Sequence, residues 1–258
     1  MLVKKTSKNQ ITLPKEIIKK FPQIEYFEVR VEDEKIILIP VKIVRADITL
    51  EKIREKIERL GIFGGSFNPP HNGHIIIANY ALEILKLDLL LVVPTFRPAH
   101  KPVSSLAPFE KRYEWLRKIF RGNEKIFVSS FERDRGDVSY SIYTVDHFSR
   151  LYSTKPYFLV GEDVLSYIER WYRYEELLKK AYLVVYPRYC GKPYHERAKK
   201  ILGDLFDDII FLETPLVQIS STDIRRRIRE GLPVSGMVPE VIMEEVKEVY
   251  RYLEGDKR

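Results

Sequence analysis

From Ile62 onward the chain alternates short, unbroken apolar runs with helix-like stretches, and this alternation restricts its fold more than any other feature. The apolar runs are 61–65, 88–93 (DLLLVV), 125–129 (KIFVS), 156–160 (PYFLV), 182–186 (YLVVY) and 208–212 (DIIFL). Helical stretches fall between them, near 73–86, 109–120, 141–151, 173–180 and 194–202. A strand that is apolar throughout is covered on both faces, so the pattern predicts an α/β domain built on a doubly wound, mostly parallel sheet. Such sheets gather ligands at the carboxyl ends of their strands, which is where motifs should be sought.

The first 45 residues read differently. Phe27, Val29 and Val31 alternate with charged residues, VEDEK offers a turn, and IILIP supplies a second strand. About forty residues of short strands bury too little surface alone, which points to a partner chain. Residues 46–60 follow as a charged amphipathic connector with Ile53, Ile57 and Leu60 on one face, or else as the first helix of the large domain. The domain reading is therefore 1–45, 46–60 and 61–258. With 45% hydrophobic residues the chain can bury a core. Its net charge of +7 is too modest to identify a nucleic-acid binder. No apolar run approaches the roughly 18 residues of a membrane span, and the lone Cys190 fits a reducing cytoplasm without disulfides.

Two strings carry chemistry. The first, GGSFNPPHNGH at 64–74, lies between the first strand of the large domain and a helix. Gly64 and Gly65 allow close backbone approach, Ser66 adds a hydroxyl, and His71 and His74 stand three apart at a helix N-terminus, which favours phosphate. By residue type alone the string also reads as a Gly/Pro turn with surface histidines, or as half of a zinc site, although no third ligand has suitable spacing. No metal-ligand set is assigned. The second string, ISSTDIR at 219–225, opens a helix with Ser220, Ser221 and Thr222 as N-cap candidates and Arg225 near the same end. Alone, it is equally a capped amphipathic helix with a cationic face.

Together the strings resemble the (H/T)xGH nucleotidyltransferase superfamily, whose fold is Rossmann-like. PTFRPAHK (94–101), RDRGDVSYSIYTV (133–145), VGEDVLSYIERWYRYEEL (160–177) and MVPEVIMEEV (237–246) narrow the likeness to bacterial nicotinate-nucleotide adenylyltransferases over residues 61–253. The resemblance implies transfer of an adenylyl group from ATP, with Mg²⁺, to nicotinate mononucleotide, in NAD biosynthesis. It gives His71, His74 and Arg225 the catalytic phosphate contacts. It assigns ATP binding to Gly64, Gly65, Ser66, Phe67, Asn68, Gly73, Gly161, Asp163, Ser220, Ser221 and Thr222. His100, Lys101, Ser141, Tyr167 and Trp171 would hold the nicotinate nucleotide. Trp171 also reads as a core aromatic, Asp163 as a helix cap and Lys101 as a loop charge. Asn68 stands where the family often has Asp, and Ser141 where Thr is common.

At the N-terminus, SKNQITLPKEIIKKF followed by EVRVEDEKIILIPV resembles the AbrB/MazE/SpoVT swapped-hairpin family. That likeness implies a small β-rich domain that joins two chains into a homodimer or larger homo-oligomer, and it admits DNA as a partner. The family's usual LGxxxGD turn is missing, which weakens the case for DNA more than that for dimerisation. Residues 1–45 carry 10 Lys/Arg against 6 Asp/Glu. Two other readings remain open: a DNA-binding regulator that senses a nucleotide, and a phosphopantetheine adenylyltransferase. No membrane partner is expected.

Overall fold

The computed structural model describes residues 16, 19, 26–32, 35–41, 57–99, 106–188 and 194–252. His100, Lys101, Cys190, the NQITLP string and most of the 46–60 connector lie outside them. The chain divides into two compact units, Met1–Leu50 and Glu51–Arg258. In the first, strands β1 (Tyr26–Glu32) and β2 (Lys35–Val41) pair antiparallel from Tyr26↔Val41 to Glu32↔Lys35, as the alternating pattern predicts.

The second unit is built on six strands: β3 (Leu60–Gly65), β4 (Leu89–Pro94), β5 (Ile126–Val128), β6 (Tyr157–Gly161), β7 (Tyr182–Tyr186) and β8 (Ile210–Phe211). They lie in the order β5-β4-β3-β6-β7-β8, with every pairing parallel. The chain leaves β3 toward β4 and β5 on one side, then returns to place β6 on the other. That reversal opens a crevice at the carboxyl ends of β3 and β6.

Alternate strand residues explain both faces. Ile62, Leu91, Phe158, Val160 and Leu183 pack into one core with Ile142 and Val145 of helix α4 (Ser141–Tyr152) and Leu177 of α5 (Tyr174–Lys180). Phe63, Leu90, Val92, Leu159 and Val184 face the other way, onto Ile77, Ala78 and Ala81 of α1 (Asn72–Ile84) and Leu116 of α2 (Phe109–Ile119). Helix α6 (His195–Leu202) adds Ala198 and Leu202 to the first core. A third cluster joins Trp115 of α2 to Ile224 and Ile228 of α7 (Ser221–Arg229) and to Ile242, Val246 and Tyr250 of α8 (Glu240–Tyr252).

Three boundaries differ from expectation. Leu60, read as the last apolar residue of the connector, begins β3 and is fully buried opposite Leu89. The run 208–212 shortens to two strand residues because β8 is an edge strand that pairs only with β7. Helix α3 (Phe131–Arg135) has five residues, too few to show a helical period, and stops at Gly136 with φ of 77°.

Candidate functional site

The loop after β3 is held in shape by its own buried side chains. Phe67 has φ of 45° and is buried, with its ring edge-on to Phe63 at 5.4 Å and to His74 at 4.9 Å between centroids. Gly73 then permits the histidines to meet. A Cβ there would lie 3.0 Å from His71 Nδ1 and 3.3 Å from Val217 Cγ1. The two imidazoles stack, 3.6 Å apart and 21° from parallel. His71 N–H donates to His74 Nδ1 at 3.1 Å, so the neutral His74 ring carries its proton on Nε2.

Both rings are kept neutral. Burial, then the positive charge of Arg188, lowers His71 to about 3. Burial depresses His74 well below the ordinary histidine range, with His71 and Arg188 adding to the shift. A depressed histidine binds fewer protons folded than unfolded, so its contribution to stability is lost as pH falls from 6.5 toward 3. By about pH 5, His71 alone should cost roughly 2 kcal/mol. In the nucleotide-free protein, the C2–H resonances of both rings are expected to stay flat between about pH 8 and pH 5. A midpoint near 6.5 for either would contradict this environment.

Helix α7 brings the second string to the first. Ser220 caps it, accepting from Asp223 N at 3.1 Å. Ser221 Oγ donates to Pro69 O at 2.8 Å, and Arg225 Nη1 donates to Asn68 O at 2.8 Å. Arg225 Nη2 reaches Thr222 Oγ1 at 3.4 Å. From the other side, Asn72 N and Nδ2 donate to Met237 O and Gly236 O at 2.9 and 2.8 Å. The α1 and α7 N-termini thus adjoin one loop, where the helix dipoles favour an anion.

Beside them, at the end of β6, Gly161 makes room for Asp163 and Arg188. A Cβ on it would lie 2.6 Å from Asp163 Oδ1 and 2.8 Å from Arg188 Nε. Arg188 follows β7, stands 3.5 Å from Asp163 Oδ1, and lines a cleft with His71, Gly73, His74, Val217 and Ile219. Tyr167 joins this group through Asp163: burial, with the Asp163 carboxylate second, pushes its phenol up to about 12. Trp171 is half-buried, edge-on to Phe158 at 6.3 Å, and packs on the core that holds Ile142 and Val145. Ser141 is the first residue of α4.

The fold thus collects His71, Gly73 and His74 around one cleft and sets Asp163, through Arg188, beside it. The Ser220–Arg225 segment is bound to the same loop. Ser66, in the same loop, accepts from Arg112 Nη1 through its carbonyl at 2.8 Å. Arg188 escaped the sequence reading because a single arginine after a strand has no local signature. Only the neighbouring run of four apolar residues, which ends β7, marked the position as a strand terminus. Among the described residues no cluster of three or more His, Cys, Asp or Glu side chains is placed to hold a metal ion, and no helix is long and apolar enough to cross a membrane.

Comparison with known proteins fits this geometry. The cytidylyltransferase-like family model matches residues 62–227. A probable nicotinate-nucleotide adenylyltransferase of Thermotoga maritima is 60% identical over 192 residues, covering 74% of this chain and 92% of that protein. One from Clostridium kluyveri is 36% identical over 197 residues, covering 74% and 97%. The fold also matches the solved Plasmodium falciparum nicotinic acid mononucleotide adenylyltransferase complexed with NaAD, with a TM-score of 0.63 at 18% identity over 76% of this chain and 98% of that one.

Proposed function

The chain belongs to the nicotinate-nucleotide adenylyltransferase family, and on that premise we propose that it transfers the adenylyl group of ATP to nicotinate mononucleotide, releasing pyrophosphate and forming deamido-NAD. One observation supports this most strongly: two strings about 150 residues apart in sequence meet through Ser221–Pro69 and Arg225–Asn68. Two neutral imidazoles and the cation of Arg188 line the neighbouring cleft. This equipment suits a polyphosphate.

An oxygen of the acceptor 5′-phosphate attacks the α-phosphorus in line. The bond from that phosphorus to the bridging oxygen breaks, and pyrophosphate leaves with the electron pair. No side chain needs to become a nucleophile. The work is positioning and meeting new negative charge, with His74 Nε2–H at the α-phosphate and Arg225 and Arg188 toward the leaving group. Mg²⁺ fits best as an ion carried on the triphosphate, because it binds few protein ligands and favours substrate phosphates; it would neutralise phosphate charge there. Asp163 would take the ribose. Ser141, Tyr167 and Trp171 would bind the nicotinate, with His100 and Lys101 over the acceptor phosphate. In this reading Arg188→Ala raises the KM for ATP by about tenfold with a smaller effect on the acceptor KM. An unchanged KM in folded protein would remove Arg188 from the phosphate site.

Pyrophosphate release from ATP is to be measured with nicotinate mononucleotide, nicotinamide mononucleotide and phosphopantetheine. The nicotinate form should win, because N–H donors arranged for a carboxylate are poorly paired against an amide nitrogen. Equal kcat/KM for the two pyridine nucleotides would defeat the acceptor assignment.

The N-terminal unit we assign to assembly. The family model begins at residue 62, and relatives matched over nearly their whole length align with only 74% of this chain. Residues 1–45 would form a two-chain swapped-hairpin module with DNA as a further ligand. Their net charge of +4, doubled in a dimer, suits phosphate contacts. Deleting them should reduce the mass in solution by light scattering, leave adenylyl transfer largely intact and abolish any salt-sensitive DNA binding. An unchanged assembly after deletion would refute the module.

A further inference from the structure

Arg112 is nearly sealed from solvent, with 1% of its surface exposed, and its guanidinium fork meets main-chain carbonyls from three separate segments. Nε donates to Ala107 O, Nη1 to Ser66 O and Nη2 to Thr95 O, each at 2.8 Å. Ser66 lies in the loop assigned to ATP, and Thr95 lies five residues before His100, which with Lys101 is assigned to the acceptor. Thr95 N also donates to Gly65 O at 2.8 Å, closing the joint.

The far side of the 94–98 segment is strapped by Glu132. Its Oε2 accepts from Phe96 N at 3.1 Å and its Oε1 from Thr144 Oγ1 at 3.2 Å. Ser139 Oγ accepts from Phe96 N and Arg97 N at 3.1 and 3.0 Å. Thr144 belongs to α4, whose first residue is Ser141. A continuous, partly buried hydrogen-bonded path therefore runs from Ser66 through Arg112, Thr95, Phe96 and Glu132 to α4. Burying a guanidinium against neutral carbonyls is a costly way merely to stabilise a core. Its use is geometric: a rigid fork fixes three carbonyls at once, which a lysine's single nitrogen cannot do.

We propose that Arg112, backed by Glu132, is a positioning residue that sets the spacing between the nucleotide loop at 64–74 and the segment 94–99, which precedes the acceptor residues His100 and Lys101 in the chain. This rests on the assignment of that loop and of His100 and Lys101 to the two substrates. A misplacement of about 1 Å between reacting groups can cost about 10²-fold in rate, so this joint bears on kcat while leaving each substrate's own binding surface in place.

The test uses the full chain with Arg112→Lys, Arg112→Ala and Glu132→Gln. Folding is followed by circular dichroism and cooperative melting, ATP affinity by calorimetry, and kcat with whichever acceptor the wild type turns over best. Arg112→Lys should bind ATP within about 3-fold of wild type and lose about 10²-fold in kcat. Glu132→Gln should lose about 10-fold in kcat, and added guanidinium ion should restore part of the Arg112→Ala activity. A fourth readout needs no acceptor: amide exchange in Arg112→Lys should quicken together at 64–69 and 94–98, with β7 unchanged. Full kcat in folded Arg112→Lys, activity loss that tracks the unfolded fraction, or unchanged exchange in those segments would each overturn the proposal. Failure of the wild type with nicotinate mononucleotide would count against the acceptor assignment instead.

Discussion

Replacing His74 with Ala is expected to lower kcat by about 10²–10³-fold while the protein remains folded, the loss typical of removing one donor aimed at developing charge. The imidazole is held by the His71 amide at Nδ1, stacked on His71 and set edge-on to Phe67 and Phe63, so its remaining proton has little freedom. Preorganisation of this kind stabilises a transition state without reorganising the site at the moment of reaction. The neutral ring, with Nδ1 accepting the His71 N–H, presents Nε2–H to a phosphate, and the incoming negative charge strengthens that bond. The variant also leaves the His71 N–H without its acceptor, so melting is to be recorded alongside rate, with His74→Gln as a polar control. Wild-type kcat in folded His74→Ala would take the residue out of the mechanism.

Much of this was legible in the sequence, and the reasons are local. β4, β6 and β7 lie within a residue of their predicted ends because runs such as LLLVV and YLVVY are apolar throughout and belong to central strands. The two strings were legible as loop–helix junctions because glycines, cap residues and a histidine pair signal themselves within a dozen residues. Arg112 and Arg188 were not, since their meaning depends on which carbonyls and carboxylates the fold brings to them. Trp171 shows how both readings of one residue survive: it is half-buried on Phe158 and still beside Tyr167 in the segment assigned to nicotinate. The family resemblance makes Asn68 a nucleotide contact, and the structure shows a bracing duty.

That duty supports the second large effect. Asn68 is buried, and its Oδ1 accepts from both Ala107 N at 2.8 Å and Tyr250 Oη at 2.5 Å. Burial pushes the Tyr250 phenol well above its ordinary range, so it stays protonated and must donate. Asn68→Ala leaves two buried donors unpaired, at about 1–3 kcal/mol each, so a loss of about 2–6 kcal/mol is expected. For a domain of this size that lowers Tm by about 4–24 °C. Asn68→Asp should be far milder, because a carboxylate oxygen accepts the same two bonds and the Arg225 guanidinium sits on the neighbouring carbonyl. Tyr250→Phe should cost about 1 kcal/mol, since it removes a donor and leaves Asn68 paired with Ala107. A Tm for Asn68→Ala equal to wild type would mean that α8 does not brace the nucleotide loop.

Acceptor-dependent adenylyl transfer is the activity to be tested. The direct measurement is product analysis by mass spectrometry and ³¹P NMR after incubation of the full chain with Mg²⁺, ATP and nicotinate mononucleotide. It should yield deamido-NAD and pyrophosphate in equal amounts, and neither without the acceptor. Acceptor-independent conversion of ATP to AMP, or a faster reaction with phosphopantetheine than with nicotinate mononucleotide, would contradict it.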